Sequence, residues 1–273
     1  MNTRMFCGAA LALLVFSFAA PVNGDVKLPN VFGSNMVLQS DVPVPVWGWA
    51  DPGEEVTVRF GSTKKTVKAD DQGNWRVTLK KLKASRKRGK QMEIKGKNSS
   101  IVFQNILIGD VWVGSGQSNM EWPVRATRKG GEMIRSAKYP AIRLFLIPKV
   151  QKGAPDKNVN ASWQICTPAT VTNFSAVLYY FGLKLQADLK VPMGLIASSW
   201  GGSRIEPWTV NAGSNAGGGM YNGMIAPIVP YAIKGAIWYQ GESNVGNGLG
   251  YHDLKKNLVE GWRRVWKQEL PFY

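Results

Sequence analysis

The feature that most constrains this chain is a largely apolar run, Ile106 to Val113, that ends abruptly in Gly114-Ser115-Gly116-Gln117-Ser118-Asn119-Met120. Its length and β-branched content read as a buried strand. It ends in a tight turn with a hydroxyl, Ser118, at the tip. In an open α/β sheet, ligands bind beyond the carboxyl ends of the strands. Glycine lets the backbone turn sharply there and bring N–H groups up to an oxyanion. Ser118 is therefore a candidate nucleophile. On spacing alone the same residues describe a polar turn equally well, because serine is common in turns.

The pattern recurs. Apolar runs return at Ile142–Ile147, Met193–Ser198 and Ile233–Tyr239. The third run (Met193–Ser198) leads into Ser199-Trp200-Gly201-Gly202-Ser203-Arg204-Ile205-Glu206-Pro207-Trp208, and the fourth (Ile233–Tyr239) into Gln240-Gly241-Glu242-Ser243-Asn244. Between the second and third, Phe174, Leu178, Phe181, Leu185 and Leu189 fall on one helical face. Thr172 or Asn173 is the expected cap, and Pro192 lies just past the end. Strand, helix, strand in that order predicts a parallel sheet with right-handed crossovers. Parallel strands would gather the three glycine-rich ends along one edge. Gly217 to Gly223 reads as a loop. A last helix is expected over Tyr251–Gln268, with Leu254, Leu258, Trp262 and Trp266 inward, and Leu270–Tyr273 reads as the start of a further buried strand.

Before Ile106 the periodicity is different. Residues 1–24 carry Arg4, an apolar stretch from Phe6 to Ala20 and then small residues, the pattern of an export signal. From Asp25 to Asn105 apolar residues alternate, as in Glu55–Phe60 and Asn74–Leu79, with turn chemistry between them. The division expected is thus a signal at 1–24, a small β-sandwich-like domain at 25–105 and an α/β domain at 106–273. No later stretch is long and apolar enough to cross a bilayer, so the chain is expected to be secreted or periplasmic. Of two cysteines only Cys166 lies outside the signal. It reads as core packing, and no cysteine-based metal site can form. The net charge is +16. Much of it falls in Lys80–Lys97, which reads as a solvated loop between strands rather than a patch for a polyanion; export argues against nucleic acid as partner.

Three blocks, Gly109–Val124, Ser198–Trp208 and Tyr221–Asn244, resemble the sialate O-acetylesterase family within the SGNH-hydrolase group, in the family's order. The resemblance runs from about Leu28 to Tyr273. It implies a flavodoxin-like three-layer α/β domain and hydrolysis of acetyl esters on a sugar, with no cofactor or metal and with an acetylated carbohydrate as the partner. It implies Ser118 as nucleophile. The oxyanion would be held by the N–H of Ser118 and that of Gly201 or Gly202, with a side-chain amide from Gln240 or Asn244. Asn119, Arg204 and Glu242 would contact substrate; Glu206 and Trp208 either line the cleft or only order their loop. The family's base comes from a C-terminal Asp-x-x-His block that does not occur here. The one histidine, His252, reads as a surface group. The chain is therefore expected to end before that block and to be a weak or inactive esterase. The alternative is a secreted carbohydrate-binding or pseudo-enzyme module that keeps the cleft without the chemistry.

Overall fold

The computed structural model describes residues 25–211 and 217–273; the expected export signal lies outside them. In chain order the strands and helices are β1 (Val37–Gln39), β2 (Val44–Trp49), β3 (Glu55–Phe60), β4 (Thr63–Lys68), β5 (Asn74–Leu79), β6 (Ser85–Lys95), β7 (Ser100–Gly116), α1 (Ser118–Glu121), α2 (Gly130–Ser136), β8 (Tyr139–Leu146), β9 (Trp163–Cys166), α3 (Pro168–Val171), α4 (Ala176–Leu189), β10 (Met193–Ser199), β11 (Gly235–Tyr239) and α5 (Tyr251–Trp266).

β7 organises both halves. Its second half lies between β10 and β11, both parallel to it. β8 joins β10 in parallel, and β9 closes that edge antiparallel. The first half of β7 pairs antiparallel with β6, which leads to β3 and β4, while β1 runs parallel to residues 107–109. β2 and β5 form a separate antiparallel pair. The result is an α/β sheet carrying a smaller antiparallel layer. The expected boundary at 105/106 falls inside β7, so pairing does not break there. Asn105 instead takes a left-handed conformation, φ 57°. Buried Arg143 braces that kink, donating to the carbonyls of Asn105 and Asn35. Loss of hydration pushes its guanidinium down to about 10, still protonated at neutral pH.

Alternation along the central strands separates two cores. Val111, Val113, Ile196 and Trp238 face Leu258, Trp262 and Trp266 of α5. Trp112, Leu195 and Ile237 face Leu178 and Tyr179 of α4. The α4 side approaches closely because of two glycines. A Cβ on Gly114 would sit 2.9 Å from a Leu178 methyl, and one on Gly182 2.6 Å from Leu195. Full burial of an aliphatic side chain such as Leu178 stabilises by about 1.5–3 kcal/mol, which outweighs the roughly 1 kcal/mol of a helix cap. Packing therefore places α4, and the cap fixes only where it begins.

Several local expectations shift. The cap of α4 is Ser175, whose side chain accepts from the Leu178 N–H, and neither Thr172 nor Asn173 serves. Phe174 precedes the helix and Leu189 is exposed, since the sheet underlies only the first turns. The Lys80–Lys97 window is not a loop throughout: Ser85–Lys95 is a strand, because Met92 and Ile94 alternate into the core. Gly217–Gly223 is not simply a loop either. Tyr221–Ile225 forms one π-helical turn, fully buried. At the far edge, Trp238 donates to the Tyr273 carbonyl and Ala236 exchanges bonds with residues 271 and 273, so the final residues run parallel beside β11.

Candidate active site

The ends of β10, β7 and β11 are in register. Ser199 and Tyr239 both pair with Gly116, one on each side. The Trp200 N–H donates to the Gly116 carbonyl at 3.0 Å and the Gln117 N–H to the Tyr239 carbonyl at 2.9 Å. The chain leaves Gly116 at φ 136°, and a Cβ there would lie 2.0 Å from the Tyr239 carbonyl oxygen. Glycine is required on both counts: left-handed backbone and lack of room. The next turn delivers Ser118 to the surface as the exposed first residue of α1.

Gly201 comes closest to that serine. Its Cβ position lies 3.5 Å from Cβ of Ser118. Its N–H, however, is already taken, donating to Oε2 of Glu121 at 2.5 Å, while Oε1 of Glu121 meets Lys149 Nζ at 2.5 Å. Gly202 differs. It is exposed, at φ 74°, and its N–H has no acceptor among the described residues.

The side-chain amides are engaged as well. Gln240 is buried and donates to the Ser203 carbonyl and to Oδ1 of Asn244, while its own oxygen accepts from Tyr251 Oη at 2.7 Å. Asn244 is 1 % exposed and bonds the Ile205 N–H, Glu206 and Asn247. With both donors spent on neighbouring turns, these two amides tie the third and fourth strand ends together and present no free donor to the cleft. The expectation of a third oxyanion donor from Gln240 or Asn244 is not met in this geometry.

The residues expected at the substrate divide in the same way. Asn119 donates to Glu242 in a close contact that links the Ser118 turn to the fourth strand end. Arg204 pairs with Glu206 at 2.7 Å and donates to the Ser243 carbonyl and to Asn247. The Arg204 guanidinium beside Glu206 holds that carboxyl below the usual range. Trp208 is fully buried with its indole N–H on Ser203, so it orders its loop and does not line a cleft. Gln117, to which the sequence pattern gives no role, accepts from the Ser243 N–H at 3.1 Å. An amide hidden among turn residues gives no periodicity signal, so only its place inside the Gly-Gln-Ser-Asn block marked it.

A cleft of about 710 Å³ opens at Ser118 and runs away from these ties, past Glu121, Trp122, Arg125, Leu146 and Lys149. Trp122 and Leu146 are half exposed, and the Trp122 indole N–H is fixed to the Ala126 carbonyl. The titratable side chains lining the cleft are Glu121, Arg125 and Lys149. His252 is not among them. It stands at the head of α5, its side chain 82 % exposed, beside Asp253. Cys166 is buried, which pushes its thiol up to about 12; it is no nucleophile at neutral pH. Among the described residues no three His, Cys, Asp or Glu side chains gather as a metal site, and no helix is long and apolar enough to cross a membrane.

Residues 108–273 match the family model described as carbohydrate esterase, sialic acid-specific acetylesterase. The sialate O-acetylesterase of Homo sapiens is 30% identical over 296 residues, an alignment covering 92% of this chain and 53% of the human protein. That of Mus musculus is 27% identical over 307 residues, covering 88% and 56%. A crystal structure of a carbohydrate acetylesterase from Xanthomonas citri superposes with a TM-score of 0.87 at 35% identity, over 91% of this chain and 59% of that one. The chain spans about half the length of the curated relatives it matches.

Proposed function

We propose an O-acetylesterase reaction on a carbohydrate, from the premise that the chain belongs to the family of sialic acid-specific carbohydrate acetylesterases. The observation that carries the proposal is the meeting of three strand ends around one exposed serine, Ser118. In the reaction the Ser118 oxygen bonds to the acetyl carbon and gives up its proton to a base. The tetrahedral oxyanion takes the N–H of Ser118 and that of the Gly201-Gly202 turn, of which Gly202 has its donor free. Losing one such donor typically costs about 10²–10³ in turnover. The sugar oxygen then leaves with a proton, and water cleaves the acetyl-serine to release acetate. The cleft offers the half-exposed Trp122 ring as a face for the sugar, in keeping with the use of aromatic side chains that are apolar in body and polar at the edge.

Serine needs a neighbouring general base to react at neutral pH, and no imidazole lines the cleft. We infer that this chain turns over slowly and that His252 takes no part. Export, from the pattern of residues 1–24, belongs to the same reading, as does an acetylated carbohydrate as its substrate. The test is release of acetate from 4-nitrophenyl acetate and from an O-acetylated sialic acid by the purified chain. The expected result is a slow rate that is unchanged in His252→Ala. A rate of ordinary enzyme size that collapses in His252→Ala would make His252 the base and overturn the inference. The carbohydrate-binding reading is favoured by one observation, the carboxylate seated on the Gly201 N–H. It predicts saccharide binding with no acetyl transfer at all.

A further inference from the structure

We propose that the Gly201 N–H and the Lys149 ammonium form a receptor for a carboxylate beside Ser118, which Glu121 fills while the cleft is empty. Each oxygen of Glu121 has its own donor: Oε2 accepts the Gly201 N–H at 2.5 Å and Oε1 meets Lys149 Nζ at 2.5 Å. Two donors splayed across one carboxylate are a recognition geometry, and hydrogen bonds with an ionised partner are the strong class. The place is at the reaction centre. The Cβ position of Gly201 lies 3.0 Å from Oε2 and 3.5 Å from Cβ of Ser118. Both donors are anchored without Glu121. Gly201 follows Trp200, whose N–H is held by Gly116, and Lys149 Nζ stands 5.9 Å above the centre of the Trp200 ring, within cation–π range.

Glu121 is also free to leave. Its side chain is 35% exposed and that of Lys149 44%, and α1 is only four residues long. A ligand carboxylate takes the same two donors once Glu121 swings into the cleft mouth. The ligand is a small carboxylate from one of two sources: the acetate released in the reaction, or the carboxylate of an acidic sugar. That choice rests on the esterase reading; the receptor itself does not. Self-occupancy lowers apparent affinity by the fraction of time the site is open, so a site filled nine-tenths of the time binds about tenfold more weakly.

The experiment follows the Gly201 amide resonance of the ¹⁵N-labelled full chain during titration with sodium acetate and, separately, N-acetylneuraminate. Wild type, Glu121→Ala, Glu121→Gln and Glu121→Ala/Lys149→Ala are compared. In Glu121→Ala the resonance is expected to shift with an affinity at least tenfold tighter than in wild type, and the added Lys149→Ala is expected to reverse that gain. Tighter binding of acetate assigns the receptor to the product, and tighter binding of N-acetylneuraminate to an acidic sugar. A folded Glu121→Ala whose Gly201 amide ignores both anions, or binds them no better than wild type, overturns the proposal and leaves Glu121 as a brace for the turn. Should the alanine variant fail to fold, Glu121→Gln decides instead: it removes the negative charge that competes for the Lys149 ammonium. Binding unimproved in that variant overturns the proposal equally. The readout is binding, so a chain without esterase activity still returns an answer.

Discussion

Ser118→Ala is expected to abolish covalent capture of the chain by a fluorophosphonate, the largest effect of any single side chain. The reagent bonds to a nucleophilic serine oxygen, and Ser118 is the serine that stands exposed where the ends of β7, β10 and β11 meet. Ser115, Ser198 and Ser199 lie nearby but are buried within the strands. Without an imidazole in the cleft, capture of wild type is expected to be slow and to rise with pH as hydroxide takes over the role of base. Steady release of acetate reads a different quantity. Catalytic groups that act as a unit are not additive, so where the base is absent, loss of the serine changes that slow rate little. Where a base is present, the same substitution costs about 10⁶-fold in turnover, which leaves only the roughly 10³–10⁴ over water that serine hydrolases keep without a triad member. Labelling of Ser118→Ala at the wild-type rate, read by intact-mass spectrometry, contradicts the assignment.

The second large effect is on stability. Gly116→Ala places a methyl 2.0 Å from the Tyr239 carbonyl oxygen and 2.6 Å from its carbon, at φ 136°. Neither contact is with the end of a flexible side chain, so β7 and β11 must separate or the turn must change hand. Strain at such a position costs of order 1–3 kcal/mol, and overpacking adds typically 1–3 kcal/mol more. The sum is about 4 kcal/mol, which lowers the melting temperature by about 10 °C in a chain of this size. Gly202→Ala is the control. It too has positive φ, but no atom lies within 4 Å of its Cβ position, so about 1 kcal/mol is expected. Thermal unfolding of the two variants side by side checks both values. Equal, small shifts would show that the crossing of β7 and β11 is looser than described.

What could be read beforehand follows from physical scale. β7, β8, β10 and β11 were legible because each carries a largely apolar run of strand length, three of which (in β7, β10 and β11) lead into glycine-containing turns, and α5 because Leu254, Leu258, Trp262 and Trp266 step by four. β9 was not legible: four residues with Trp163 and Cys166 inward carry too little pattern to separate them from a loop. β1 owes its existence to β7, on which three residues pair in parallel. The positive charges of β6 masked the alternation of Met92 and Ile94. In the site, the sequence located the three strand ends but not the occupancy of their polar groups. Gln240 and Asn244 have the chemistry of oxyanion donors, and only the fold reveals that Ser203, Tyr251 and Glu206 already claim them. Likewise Glu121 and Lys149 come from separate segments, one after β7 and one after β8, and their meeting at Gly201 has no signature in either.

The convergence of the first and third strand ends can be measured without any turnover. Cβ of Ser118 and the Cβ position of Gly201 are 3.5 Å apart, within the range of about 3.5–4.5 Å that a disulfide spans. The nearest obstacle, Oε2 of Glu121 at 3.0 Å, ends a movable side chain. The double variant Ser118→Cys/Gly201→Cys is expected to cross-link spontaneously in air, with loss of two thiols and a 118–201 linked peptide in the digest. A folded double variant that keeps both thiols free would contradict the placement on which the esterase reading stands.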